Sequence, residues 1–160
     1  MEWRSMAKKF RGRVQRGTLD SSLIEGVGTF IYSTSTQRYL FLLRNSKKYA
    51  GTWGLGGGGI EAGENLLSSL YRELDEELGY DFSETKVIPI EKFTSDNGHF
   101  NYHTFLIAID EEFVPILNSE HRGYCWVELE DHPKPLHPGV WRTINFASVV
   151  DKIKTLEAVL

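Results

Sequence analysis

Cysteine is nearly absent from this chain: one residue in 160, Cys125. That excludes an intramolecular disulfide and any metal centre built from several thiolates. Cys125 lies in the apolar run Tyr124–Val127 and reads as a small buried hydrophobe. No apolar stretch approaches the roughly 18 residues that a membrane-crossing helix needs, and no secretory leader is legible near the start. The expected setting is therefore the reducing cytoplasm, without a membrane partner. Charge of one sign is lacking too. Lys and Arg total 18 against 22 Asp and Glu, a net charge of −4, so nothing draws the chain generally to nucleic acid. The exception is local: Arg4, Lys8, Lys9, Arg11, Arg13 and Arg16 face only Glu2. Residues 1–20 read as a basic arm or edge segment, and 21–160 as a single domain. An organellar transit peptide is the competing reading for that arm, and its few serines argue against one. Histidines with metal-ligand spacing are missing, so His103 and His137 read as structural or exposed.

Glycine is plentiful where the rest is sparse. Six of the 15 fall between Gly54 and Gly63. Gly54-x-Gly56-x-x-Gly59 literally spells a dinucleotide fingerprint, but no strand precedes it directly and no helix opens at it; a P-loop would need a lysine that is not there. The next segment has the period of a helix. Leu67, Leu70, Tyr71, Leu74 and Leu78 recur at three- and four-residue spacing and form an apolar stripe. Asn65 suits the N-cap and Gly79 the left-handed stop. Glu73, Glu76 and Glu77 then lie at i, i+3 and i+4 on a flank beside that stripe. Like charges at these spacings cost about 0.2–0.5 kcal/mol each, and Arg72 offsets only part of that. A divalent cation turns the repulsion into coordination, and an all-oxygen set suits Mg²⁺ or Mn²⁺.

The stretch Gly58, Glu64, Arg72-Glu73-Leu74, Glu76-Glu77, Gly79-Tyr80 resembles, at every fixed position, the signature of the Nudix hydrolases, G-x5-E-x7-R-E-U-x-E-E-x-G-U with U a bulky apolar residue. Trp53 to Glu64 looks like the usual entry to that motif, departing from it at Gly56, where proline is common. The resemblance implies Mg²⁺-dependent hydrolysis of a nucleoside diphosphate linked to some moiety X, with Mn²⁺ an alternative ion. Such compounds include nucleotide sugars, ADP-ribose, dinucleoside polyphosphates and (d)NTPs. It also implies roles. Glu73 and Glu77 bind metal, Glu76 is a third ligand or the general base, and the carbonyl near Gly58 completes the metal shell. Arg72, together with Glu64, orients a catalytic carboxylate. Asn118 to Val127 is similar to the family segment that carries a downstream base, which makes Glu120 and His121 the further candidates. Arg44 is positioned to reach a phosphate. Trp53, Phe100 and Tyr102 are candidates to stack a base, although aromatics in strands are more often core. The expected partner is a small nucleotide, and the oligomeric state stays open. Two other classes share the family's fold: a ligand sensor that does not cleave, disfavoured because no box glutamate is lost, and a diphosphate isomerase, disfavoured by the intact box and short chain.

Around the motif, Leu23–Ser33, Arg38–Leu43, Lys86–Phe93, Phe100–Ile109 and Tyr124–Glu128 read as strands. Pro89 points to an edge or a bulge. His132–Gly139, with three prolines, reads as a loop, and Ile144–Leu160 as one helix. Strands, helix, strands, helix make an α+β or mixed α/β domain. The resemblance sharpens this to an α/β/α sandwich around a mixed sheet.

Overall fold

Apolar residues of both parities give the first strand two buried faces, and the rest of the fold is built outward from it. The computed structural model describes residues 23–160, so the basic arm lies outside the described residues. In β1 (Ile24–Ser33), Val27 and Ile31 point to one side and Phe30 and Tyr32 to the other. A tight turn with Gln37 at φ 59° leads into β2 (Arg38–Arg44). β3 (Trp53–Gly54) and β4 (Gly56–Gly59) come next, then α1 (Leu66–Leu78), β5 (Lys86–Thr94), β6 (Phe100–Ile109) and β7 (His121–Val127). The chain closes with α2 (Pro138–Ile144) and α3 (Ala147–Val159).

The sheet runs β3-β2-β1-β6-β5, with β4 on β1 and β7 on β2. β1 and β6 pair in parallel along their whole length, from Ile24↔Phe100 to Ser33↔Ile109. Among the described residues the other pairings between these strands are antiparallel, and an isolated parallel bridge joins Trp53 to Leu136. β1 holds β2 only at Tyr32 and Ser33, and at its other end, from Gly26 to Thr29, it holds β4. The sheet therefore forks: β2 leaves β1 and carries β7 and β3 with it. One face is covered by α1, whose Leu70, Leu74 and Leu78 pack on Val27, Ile31, Leu42 and Ile107. The opposite face is covered by α2 and α3, whose Val140, Val149 and Ile153 meet Phe30, Tyr39, Phe41 and Leu106. Each such buried side chain contributes about 1.5–3 kcal/mol. This is the α/β/α sandwich with a mixed sheet.

Pro89 has both predicted features: β5 is an edge strand, and its register slips between Pro89 and Glu91. Five local expectations are corrected. The glycine run contains two short strands, because Gly56–Gly59 is hydrogen-bonded to β1. At Gly57 the φ is 146° and a Cβ would strike the Val27 carbonyl, so only glycine lets the two backbones come this close. The last helix is two helices. Asn145 donates to the Trp141 carbonyl (2.7 Å), closing α2, and Phe146 is extended before α3 begins. The proline-rich loop hides the start of α2: Pro138 occupies the first turn, where its missing N–H costs nothing, and His137 Nδ1 accepts from the Gly139 amide (3.0 Å). β7 starts at His121, since its pairing to β2 extends to Arg44. Cys125 is only partly buried, and that burial raises its thiol pKa.

Candidate active site

α1 begins and ends as its sequence dictates. The Asn65 side chain accepts from the Ser68 amide (2.8 Å), and Gly79 adopts φ 63° while its N–H bonds the Asp75 carbonyl. The buried face is rotated from the expected stripe: it consists of Ser69, Leu70, Glu73, Leu74, Glu77 and Leu78, while Leu67 is 41% exposed. Glu73 and Glu77 are thus not on a flank. Each is 1% exposed, turned toward the sheet. Glu73 lies on β4: a Cβ on Gly58 would fall well under 3.0 Å from all three carboxyl atoms of Glu73. Gly58 is a glycine because a carboxylate occupies that space.

Arg72 ties the loop to the helix. Its Nε and Nη2 donate to the two oxygens of Glu64 (2.7 and 2.9 Å), Nη2 also donates to the Gly59 carbonyl (3.2 Å), and Nη1 donates to Glu73 (3.1 Å) and Glu76 (3.3 Å). Glu64 also accepts from the Glu61 amide and the Ser69 hydroxyl. The guanidinium, aided by these donors, holds the Glu64 carboxyl below the usual range, and Glu64 in turn raises Arg72. The i,i+4 contact with Glu76 is one strand of this knot. Glu76 itself is largely exposed, at 53%.

The downstream candidates arrive at α1 through its unsatisfied C-terminal carbonyls. Ile116 N–H bonds the Leu78 carbonyl (2.8 Å), and Asn118 Nδ2 bonds the Glu76 carbonyl (3.0 Å). Phe113, stacked on Tyr80 at 4.3 Å, accepts from Trp126 Nε1 through its carbonyl and pins the start of this segment. Asn118 Oδ1 then accepts from the Glu120 amide, and the Glu120 carbonyl accepts from Asn45 N–H (2.9 Å). The result is a cluster: ligand atoms of Glu77, Glu120 and His121 all lie within 4.8 Å of one another, and His121 Nδ1 is 3.7 Å from Glu77 Oε2.

Arg44, opposite His121 in the β2–β7 pairing, is 7% exposed. Its Nη2 donates to the Ser46 hydroxyl (3.1 Å) and the Lys48 carbonyl (3.3 Å), and its stem lies over Gly54. Burial lowers its pKa, while Glu77, Tyr102 and Glu120 act to raise it, so these groups share one electrostatic neighbourhood. Trp53 does not join that cluster. Its backbone is bonded to Pro135 and His137, and its ring packs, half-buried, on the α2–α3 side. Phe100 is core. His137 is buried, its ring edge-on to Tyr49 at 4.8 Å.

Two residues hold places that the motif does not announce. The Tyr102 hydroxyl occupies the space where Gly28 would carry a Cβ; burial and Glu77 raise its pKa and Arg44 opposes them. Glycines at 26 and 28 inside an otherwise bulky strand were the available signal, since they mark a close approach. Asn118, which docks the Glu120 segment on the helix end, left no signal.

Similarity to known proteins agrees with this geometry. The NUDIX domain model matches residues 23–146. The chain belongs to the Nudix family. Over 118 residues it is 30% identical to dihydroneopterin triphosphate diphosphatase of Haemophilus influenzae, a match covering 64% of this chain and 73% of that protein. Over 93 residues it is 33% identical to nucleoside triphosphatase NudI of Escherichia coli, covering 52% of this chain and 66% of the relative. Among solved structures, the MutT protein from Methanosarcina mazei superposes with a TM-score of 0.65 at 25% identity, covering 86% of this chain and 99% of the other. The Nudix chain is an enzyme of the pyrophosphohydrolase class. No helix among its described residues is long and apolar enough to cross a membrane.

Proposed function

We propose that this Nudix protein hydrolyses a diphosphate linkage in a small nucleotide, with a nucleoside triphosphate or a similarly triphosphorylated compound as the leading substrate, in a reaction that needs Mg²⁺ or Mn²⁺. The observation that carries the reading is the burial of Glu73 and Glu77, each 1% exposed, on one helix face. Acids that only solvate a helix do not face the sheet. The triphosphate preference comes from the names of the two relatives, and the reducing interior of the cell is the setting that suits a chain with one cysteine.

The residues present fit a divalent cation. Glu73 rests in a cradle that a Cβ at Gly58 would fill, and the remaining donors are carboxylates and one imidazole. Glu73 and Glu77 would hold the ion with the Gly58 carbonyl. A bound cation supplies charge to the phosphate oxygens and a water acidic enough to attack near neutral pH. The chain supplies the rest. Arg72 fixes Glu73 by a charge-assisted bond and is itself fixed by the two-pronged Glu64. Arg44, whose terminal nitrogen is anchored by Ser46 and Lys48, offers a desolvated guanidinium to a phosphate. Glu120 accepts the proton of the attacking water; its support is its place in the cluster with Glu77, while Glu76 is engaged by Arg72.

A panel of nucleoside triphosphates, nucleotide sugars, ADP-ribose and dinucleoside polyphosphates, with Mg²⁺ and with excess chelator, tests the reading by product mass. Turnover that survives chelation overturns the metal requirement. Tight binding without cleavage of any member turns the reading to a ligand sensor. Glu120→Gln and Glu76→Gln, compared at rising metal concentration, separate base from ligand: a lost ligand is rescued by more metal and a lost base is not. Full activity of Glu120→Gln removes it from that role.

A further inference from the structure

We propose that Tyr49 is a positioning residue: its ring, braced on the buried His137, holds the Arg44 guanidinium so that the Nε–H is kept for a phosphate oxygen of the substrate. This rests on the phosphate-binding reading of Arg44 above.

Arg44 is engaged at one end only. Nη2 donates to the Ser46 hydroxyl and the Lys48 carbonyl. Nε is buried and has no hydrogen-bond partner among the described residues. A buried donor left without an acceptor costs free energy, and more so when it carries charge. The arginine is thus held in a shape that suits an arriving anion better than it suits the resting fold.

The backbone at residue 49 sets that shape. Among the described residues two that are not glycine have positive φ: Gln37, in an exposed hairpin turn, and Tyr49 at 57°. This left-handed region is strained for a bulky side chain. The ψ of Lys48 and the φ of Tyr49 turn the planar peptide between them, and its carbonyl is the oxygen that Arg44 bonds. Thr52 closes the same turn, its N–H and hydroxyl both donating to the Tyr49 carbonyl (3.2 and 2.7 Å). The loop is then stitched to Arg44 itself. Arg44 N–H bonds the Thr52 carbonyl and Gly51 N–H bonds the Arg44 carbonyl, each at 2.9 Å.

The ring of Tyr49 offsets the strain. It lies edge-on to His137 at 4.8 Å. His137 is fixed in turn: its N–H bonds the Trp53 carbonyl (2.8 Å), and Nδ1 accepts from the Gly139 amide (3.0 Å). Gly54 separates His137 from the Arg44 stem, since a Cβ there would meet His137 Cβ and Arg44 Cδ, each at 3.8 Å. Tyr49 also belongs to the electrostatic surroundings of the guanidinium. The N-cap of α2 thereby braces a loop that aims an arginine from the end of β2.

The test is binding of methylenediphosphonate, a diphosphate mimic that resists hydrolysis, to the full chain in Mg²⁺. Nitrogen NMR of the wild type reads the Arg44 Nε–H directly and depends on no variant; its resonance should shift on saturation. By calorimetry, Arg44→Lys, which keeps the charge and lacks Nε, should bind about tenfold more weakly or worse. Tyr49→Asn should lose about as much, because asparagine accepts a left-handed backbone but removes the ring. Tyr49→Phe restores the ring and should recover most of that loss. Tyr49→Asn combined with Arg44→Lys should bind no worse than Arg44→Lys alone, since Tyr49 acts through the arginine. Additive losses, undiminished binding by Tyr49→Asn, or an Nε–H resonance that does not move overturns the proposal. If the wild type does not bind the mimic, or Arg44→Lys binds it as well as wild type, the phosphate role of Arg44 falls and this inference with it. Chelator-sensitive nucleotide hydrolysis by the same protein would then keep the hydrolase reading standing.

Discussion

Replacing Gly58 by alanine isolates the contact between β4 and α1. A Cβ there falls well under 3.0 Å from the Glu73 carboxyl carbon and both its oxygens. That is about 1 Å short of ordinary van der Waals separation, so something must move. The strand cannot easily withdraw. Arg72 bonds the Gly59 carbonyl, and Leu74 already lies 2.7 Å from where a Cβ on Gly56 would be. The flexible end of Glu73 gives way instead, and its bond to Arg72 stretches. Overpacking of this kind costs about 1–3 kcal/mol, which for a chain of this size lowers Tm by about 2–12 °C. A displacement of about 1 Å at a group that positions the reaction costs on the order of 100-fold in rate, about 2.7 kcal/mol of barrier. Gly58→Ala should therefore stay folded by circular dichroism, melt somewhat lower, and lose about 100-fold in kcat at saturating metal. Gly63→Ala is the control. Gly63 has φ 82° with nothing within 4 Å of a Cβ, so it should lose about 1 kcal/mol of stability and little activity. Turnover of Gly58→Ala within threefold of wild type would refute the claim that Glu73 must rest on β4 to act.

Glu77→Gln should remove most turnover yet match or exceed wild-type Tm, because it relieves repulsion from Glu73 one turn away; retention of more than about half of kcat, a loss under ~0.5 kcal/mol, ends its role as ligand. Arg72→Ala should flatten the acid limb of stability. Arg72 holds the Glu64 carboxyl low, so its stabilisation is complete above the unfolded value of about 4.3 and is lost as pH falls through the lower folded value. Urea titrations at pH 6 and pH 3 should show wild type and variant converging at the lower pH, and a constant gap would contradict the pairing. Gly28→Ala should be destabilised by collision with the Tyr102 hydroxyl, and Tyr102→Phe should recover part of that loss, since the ring carbon beneath is 3.1 Å from the added Cβ; additive losses in this double-mutant cycle would mean that the two residues do not meet.

Local rules in the sequence determined α1. Asn65 and Gly79 set its limits through a side-chain cap and a left-handed stop, and both act within one turn. Pro89 likewise marked an edge and a slip, because a missing N–H has the same effect wherever the strand lies. The family motif, dense over 58–80, named Glu73, Glu77, Arg72 and Glu64; of these, Arg72 bonds Glu64 and Glu73, and Glu77 shares the buried helix face with Glu73. Tertiary structure alone decided the rest. The helix's apolar stripe could be read, but not the rotation that exposes Leu67 and buries Glu73 and Glu77, because that angle is set by how Leu70, Leu74 and Leu78 dock on β1 and β6. Gly56–Gly59 has no strand propensity of its own and is a strand only because β1 stands beside it. Glu120 and His121 meet Glu77 across a long stretch of chain because the end of α1 leaves carbonyls that Ile116 and Asn118 satisfy. Periodicity and capping act between near neighbours, so they are written in the sequence. The docking angle of a helix and the meeting of distant carboxylates depend on the whole packed sheet.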